Sequence, residues 1–348
     1  MKGVKFIFSS VIAAVSAAAM TLSLTSCGMI NEGLDPCPEP VARLRFVYEY
    51  NMEYANAFHN QVHCLSLLVF DESGKLVARR NETSRQLLGD ESYRMDISLP
   101  EGKYHAVAYG GMECENSSFF HSSDPSEASD ISEIRVSLSQ ECLDNDSKRL
   151  LHNHFYGTTD FTISSAISTE TKVEMMRNTN SIQVALQNAY GSPISHEDFE
   201  FYITDDNTLF DKDNNLIENG VVEYRPYLTE TRRSESATET KAGSGSETSI
   251  ALAHFSTSRI VRDKATPTLL RVCRKRDGAE IFRIPLSSYM LLFKENHGET
   301  AAMGDQEYLD RENSWRFVFF LDDSNGETWL STQLIINDWL VRINNTGF

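Results

Sequence analysis

Apolar and polar residues alternate with a period of two along most of the chain beyond residue 41. Leu44, Phe46, Tyr48 and Tyr50 fall on one face of an extended segment, with Arg45 and Glu49 on the other. Such alternation marks a strand with one buried face. The run from Val62 to Phe70 is denser in apolar residues, as expected of a central strand. Tyr93 to Leu99 alternates residue by residue, Pro100 to Lys103 supplies a turn, and Tyr104 to Gly110 begins a return strand, so this stretch predicts a hairpin. Ile134/Val136/Leu138, Phe161/Ile163, Ile182/Val184/Leu186 and Phe199/Phe201/Ile203 repeat the pattern, and 268–274, 280–284, 315–321, 331–336 and 338–343 are further strand segments. Long amphipathic helices are scarce, and 286–294 predicts one short helix. Many short strands parted by turns predict an all-β chain built from β-sandwiches.

At 348 residues the chain exceeds one usual sandwich, so two domains are expected. The polar stretch Ser164 to Thr171 places the boundary near residue 165, giving an N-terminal sandwich at 42–165 and a C-terminal one at 166–348. Residues 229–249 are polar and Gly/Ser-rich and read as a mobile surface loop of the second domain.

The one long apolar run is N-terminal. Lys2 and Lys5 precede Phe6 to Met20, which is rich in Ala, Val and Ile, the make-up of a secretory signal. The run is too short for a spanning helix and is interrupted by Ser9, Ser10 and Ser16. It closes on Leu24-Thr25-Ser26-Cys27, the hydrophobic, small, small, cysteine order of a bacterial lipobox. A narrow peptidase site suits Thr25 and Ser26, and only a thiolate is nucleophilic enough to accept a diacylglycerol. Cleavage after Ser26 is therefore expected to remove residues 1–26 and leave Cys27 as an S-diacylglycerol, N-palmitoyl cysteine. Each buried CH₂ contributes about 0.8 kcal/mol, so one acyl chain holds marginally and three hold effectively for good. Residues 27–41, stiffened by Pro36, Pro38 and Pro40, form a tether.

With 50 acidic and 32 basic residues the formal net charge is −18, which leaves no basic face to neutralise phosphates and excludes a nucleic-acid partner. Export permits disulfides. Beyond Cys27 there are Cys37, Cys64, Cys114, Cys142 and Cys273, an odd set whose pairing spacing does not fix. The absence of CxxC removes support for a redox centre or zinc ribbon. Asp211-Lys212-Asp213-Asn214-Asn215 opens like a calcium loop, but Leu216 and Val222 stand where glycine and an acid are needed, so an Asx-rich turn is expected. His152 and His154 sit two apart without a third ligand and are expected in a solvated loop. Asp305, Glu307, Asp310, Arg311 and Glu312 offer paired carboxylates of the kind glycosidases use, though a charged turn before a strand is the simpler reading. GxSxG, HExxH and P-loop motifs are missing, so no enzyme activity, cofactor or metal is expected.

Cys27, LDPCPEP (34–40) and LRFVYEYNMEYANAF (44–58) together resemble the start of Bacteroidales fimbrial anchors, the FimB-like members of the fimbrillin-A-associated anchor family. The resemblance continues at LVFD (68–71), YRMDISLPEGKYHAVAYGG (93–111), RNTNSIQVALQ (177–187) and FYITDDN (201–207). It extends through IPLSSYMLL (284–292), MGDQEYLDREN (303–313), FFLDD (319–323) and LIINDWLVR (334–342). It implies two tandem transthyretin-like β-sandwich domains. It also implies an outer-membrane lipoprotein, displayed at the cell surface, that attaches a fimbrial shaft and limits its length.

The resemblance further implies that the fimbria grows by strand exchange, in which a partner's strand fills a groove vacated by proteolysis. An anchor whose first strand leads to a lipid would be released by such a cut. The 44–50 strand is therefore expected to stay in place, and the C-terminal strand, with Trp339, Val341 and Ile343, is the candidate contact for the shaft subunit. Two alternatives stand beside the anchor. One is a fimbrial tip or accessory adhesin, which would need a protease-sensitive Arg such as Arg43 or Arg45 near the first strand. The other is a surface glycan-binding lipoprotein, for which only Trp315, Trp329 and Trp339 could supply indole platforms.

Overall fold

Leu44, Phe46 and Tyr48 alternate inward along the first strand, and their burial decides its place. The computed structural model describes residues 40–164, 170–234, 248–295, 300–322, 324, 328–337 and 339–342. Strands are numbered in chain order. A seven-stranded sheet runs β3-β2-β5-β8-β9-β1-β4. Its members are β1 (Val41–Val47), β2 (Leu65–Asp71), β3 (Leu76–Glu82), β4 (Met95–Ser98), β5 (Gly102–Gly110), β8 (Phe155–Ile163) and β9 (Glu170–Arg177). Side chains from β1, β2, β4, β5, β8 and β9 share one core that includes Leu44, Phe46, Leu67, Ile97, Ala106, Phe161 and Val173, so the two ends of the sheet close over a common interior.

A six-stranded sheet runs β15-β16-β10-β19-β20-β21. These are β10 (Thr179–Asn188), β15 (Leu228–Ser234), β16 (Thr248–Ser258), β19 (Ser314–Asp322), β20 (Thr328–Ile336) and β21 (Trp339–Arg342). A four-stranded sheet, β14-β11-β17-β18, comprises β11 (Phe199–Asp205), β14 (Val222–Tyr224), β17 (Leu269–Arg274) and β18 (Glu280–Pro285). Ile182, Val184 and Leu186 of β10 pack with Phe201, Ile203, Val272, Phe282, Phe317 and Phe319 in one sandwich core. A last sheet, β13-β12-β7-β6, joins β6 (Phe119–His121) and β7 (Arg135–Leu138) to β12 (Leu209–Asp211) and β13 (Leu216–Ile217). Its β7–β12 ladder pairs Val136 with Phe210 and so ties the first half of the sequence to the second.

This bridging sheet explains the dense apolar run of β2. Leu65, Leu67 and Val69 enter the first core, whereas Leu68 and Phe70 on the opposite face enter the second. The strands predicted from alternation form, as does the helix, here Leu286–Glu295. The predicted 93–110 hairpin does not: β4 pairs with β1, and β5 pairs with β2 and β8. The reason is burial. β5 is apolar almost throughout (Ala106 to Tyr109) and needs neighbours on both edges, while alternating β4 suits a sheet edge.

Residues 229–249 also differ from a loop. Thr229 to Ser234 lies in β15, paired with β16 from Thr248 onward, because alternating Thr229 and Thr231 suit an exposed edge strand despite their polarity. Residues 235–247 lie outside the described residues. β9 lies beyond residue 165 yet belongs to the first sheet, and Asn178 alone separates it from β10 in the six-stranded sheet.

Candidate functional site: the tethered strand, the junction and the last edge

The tether residues, with Ser26, Cys27 and Cys37, lie outside the described residues; the described chain begins at Pro40 and enters β1 at once. β1 pairs antiparallel with β4 over Val41–Leu44 and parallel with β9 over Arg43–Val47. Leu44, Phe46, Val47 and Tyr48 are all buried. Removing this strand breaks both ladders and opens the first core. Arg43 is paired to Asp96 on one side and Glu170 on the other, and Arg45 to Lys172. A protease needs an extended, unpaired segment, so cleavage at either arginine requires local unfolding.

The chain leaving β1 is pinned. Asn51 Nδ2 donates to the Tyr48 and Ala55 carbonyls at 2.8 Å, and the Tyr48 N–H donates to Asn56 Oδ1 at 3.0 Å. Burial raises the Tyr48 phenol to about 12, so it stays neutral. Its oxygen accepts a 2.8 Å hydrogen bond from Asn313 Nδ2, immediately before β19. Arg311 stacks on Tyr50 at 4.1 Å and Tyr54 at 4.9 Å. The end of the first strand is thus joined to the start of a central strand of the six-stranded sheet.

Between the two large sheets lies a buried polar junction. Arg177 donates to Asn153 Oδ1 at 2.8 Å and Asn313 Oδ1 at 3.1 Å. Asn178 donates to Asn214 Oδ1 at 2.6 Å and lies 3.3 Å from His154 Nδ1. Arg259 grips Asp310 in a bidentate pair, both bonds 2.7 Å, and donates to the Asn214 carbonyl at 2.8 Å. Asp310 is 5 % exposed in its side chain, so removing Arg259 would strand a buried carboxylate.

At the far end, β21 pairs with β20 from Trp339↔Ile336 to Arg342↔Gln333. It is the edge of its sheet and has no second strand partner among the described residues, although the helix Leu286–Glu295 packs against it. The candidate contacts Trp339 and Val341 lie on this edge, while Ile343 lies outside the described residues. An exposed ladder of N–H and C=O groups is a template for an added strand.

A family model for fimbrillin-A associated anchor proteins, Mfa1 and Mfa2, matches residues 34–345. The chain belongs to this family. It is similar to the crystal structure of a candidate adhesin from Bacteroides thetaiotaomicron, with 44 % identity and a TM-score of 0.82 over 89 % of this chain and 100 % of the other. A second structure from the same organism, described as a candidate polysaccharide-binding protein, shares 26 % identity with a TM-score of 0.73, covering 88 % and 99 %. The fimbrial anchor protein Mfa2 from Porphyromonas gingivalis shares the fold at 16 % identity, with a TM-score of 0.62 over 88 % and 100 %. No curated protein matches the chain. The resemblance to the fimbrillin-A-associated anchor family and the all-β sandwich architecture therefore hold, and they support a fimbria-associated anchor or adhesin role.

Cys64 and Cys114 form a disulfide, while Cys142 is buried and free and Cys273 is half-buried and free. The Asp211 carboxylate accepts the Asp213 and Asn215 N–H groups at 2.9 and 2.8 Å, closing the β12–β13 turn. His154 is not solvated: it is buried, stacked on Phe119 at 4.5 Å, and burial holds it neutral with its pKa down at about 3. Apolar neighbours on β5 and β6, which sequence spacing does not place, enclose it. Asp305, Glu307 and Asp310 lie on a helix, Asp305–Arg311, rather than a turn, with Glu312 just past its end, and the three pair with Lys294, Arg311 and Arg259. Trp315 is 2 % exposed and Trp329 packs on Phe282 and Phe319. The junction residues Arg177, Asn178 and Arg259 were not singled out by sequence reasoning; the polar cluster Arg177-Asn178-Thr179-Asn180 at the head of an alternating strand is the one signal that pointed to them.

Proposed function

We propose that this chain is the anchor of a fimbrium: a lipoprotein held in the outer membrane through Cys27 that retains its first strand and contacts the shaft subunit through the β21 edge. The observation that carries this reading is the double pairing of β1 over a closed core. A subunit that incorporates by giving up its first strand cannot keep a lipid attached to that strand. A chain that keeps it preserves an unbroken covalent path from Cys27 to Phe348.

Load applied at β21 passes through β20 to β19, and from there through Asn313 and Tyr48 to β1 and the tether. Main-chain hydrogen bonds along β21 supply strength, and pockets for alternate side chains supply selectivity. An anchor that binds the last subunit also ends growth, which accounts for a limit on fimbrial length. The outer face of the cell is the location that suits such a contact.

Deletion of the gene, followed by scoring fimbriae on cells and in the medium, tests the anchor. The expected result is shed filaments of increased length, and normal attached filaments would overturn it. Truncation after Asp338 tests the edge: a folded protein that still retains fimbriae would place the contact elsewhere. Mass spectrometry of the N-terminal peptide tests the lipid, and an unmodified Cys27 would remove it. Immunogold labelling at the filament tip instead of its base would favour the adhesin alternative.

A further inference from the structure

β11 ends at Asp205, the first of four consecutive buried polar residues, Asp205, Asp206, Asn207 and Thr208. Lys264, from the segment between β16 and β17, reaches into this site. Its side chain is 3 % exposed and that of Asp205 is 1 % exposed. Lys264 Nζ is in direct contact with Asp205 Oδ1, and the Asp206 carbonyl oxygen lies 3.4 Å from it. The Asp205 carboxyl is oriented from both sides. The Asp206 N–H donates to Oδ1 at 2.8 Å, and the Thr268 hydroxyl donates to Oδ2 at 2.7 Å. The neighbouring Asp206 carboxylate is occupied by the Asn219 and Gly220 N–H groups at 2.8 and 3.0 Å.

An ion pair so fully withdrawn from water carries a large desolvation penalty. Burial alone lowers Lys264 to about 8. A lysine nitrogen held against a carboxyl group whose oxygens also accept from the Asp206 N–H and the Thr268 hydroxyl meets the requirements of proximity and oxyanion stabilisation for acyl transfer.

We propose that Lys264 and Asp205 condense into an intramolecular isopeptide bond. One proton passes from the ammonium to Oδ1, giving amine and acid. Nζ attacks Cγ, and the charge that develops on Oδ2 is stabilised by the Thr268 hydroxyl. A second proton leaves Nζ for Oδ1, the Cγ–Oδ1 bond breaks, and Oδ1 departs as water. Nζ keeps its last hydrogen as the amide N–H, and Cγ=Oδ2 remains as the amide carbonyl, still accepting from Thr268. No oxidant, cofactor or added nucleophile is consumed. Thr268 is a catalytic residue of this step, and the Asp206 N–H holds the leaving oxygen. The product staples the end of β11 to the segment preceding β17, strands already paired from Phe199↔Arg274 to Thr204↔Leu269, and closes the chain between them into a covalent loop.

The test is proteolysis of the full chain purified from cells, with tandem mass spectrometry of the fragments. The expected product is one branched peptide pair, joined between Asp205 and Lys264 and lighter by one water than its two parts. The K264R variant keeps a cation beside Asp205 and is expected to give two linear peptides instead. Recovery of the wild-type fragments entirely as unmodified linear peptides would overturn the proposal and leave a buried ion pair. The T268V variant is expected to form the branched species roughly 100-fold more slowly. An unchanged rate would overturn the role given to Thr268.

Discussion

β1 and β21 are the first and last described strands, and their sheets hold them differently. β1 has a neighbour on each edge and buries Leu44, Phe46 and Val47; β21 has one strand partner, β20, among the described residues. A strand paired on both edges can leave only by breaking two ladders and exposing a core. A strand paired on one edge keeps a row of main-chain groups ready for a new partner. In the proposed anchor, retention and recruitment therefore fall at opposite ends of the chain, with the polar junction between them.

The sharpest way to break this comparison is to cut the coupling. Arg259→Leu leaves the Asp310 carboxylate buried without its partner and is expected to lower unfolding stability by about 3–5 kcal/mol, measured by chemical denaturation. If the junction is one unit, spectroscopic probes in both halves shift together; separate transitions would show that the halves fold independently.

Leu44→Ala tests the sealed strand itself. It removes a fully buried side chain from β1, with an expected loss of about 2–5 kcal/mol, and it should also expose the Arg43–Arg45 segment to trypsin under native conditions. Stability near wild type would mean that β1 contributes little to its own retention.

A smaller effect comes from pH. The folded-state pKa of His154 lies at about 3, below its ordinary 6.5, because burial disfavours the cation. The unfolded chain therefore binds more protons between those values. The stabilising contribution is complete above about pH 6.5 and is lost as pH falls toward 3, at up to about 1.4 kcal/mol per pH unit. Burial also lowers the pKa of His121, which acts in the same direction. Denaturation midpoints between pH 7 and pH 5 lie above the ordinary carboxylate range and report chiefly on the histidines, with Glu312, which burial shifts upward, acting in the opposite direction. His154→Gln is expected to flatten the slope.

The smallest change in stability is expected at the open edge. A proline at whichever of Leu340 and Val341 turns its N–H away from β20 removes no β20–β21 hydrogen bond, so stability should change by less than about 0.5 kcal/mol. Fimbrial retention should nevertheless fall, because the proline blocks an added strand. Retained fimbriae would direct attention to another edge.

Alternating positions such as Leu44/Phe46/Tyr48 and Ile182/Val184/Leu186 made the strands legible, because period-two burial is a local property written in side-chain polarity. The hairpin expected at 93–110 was not, since alternation does not name a partner. β4 and β5 separate because one alternates and the other is continuously apolar from Ala106 to Tyr109, and that difference acts only when a sheet assembles. Thr229 to Ser234 was hidden in a polar composition because an edge strand needs few apolar residues. His154 was misplaced because its enclosing rings, Tyr109 and Phe119, are remote in sequence.

The sequence by itself determined the class of fold, the expected lipid address at Cys27 and the family, since each depends on local pattern or on an ordered set of short motifs. Tertiary structure alone decided that β1 is locked between β4 and β9, that Arg259 meets Asp310 and that Lys264 meets Asp205. Those pairings join residues tens of positions apart, and they have force because the folded chain withdraws them from water together.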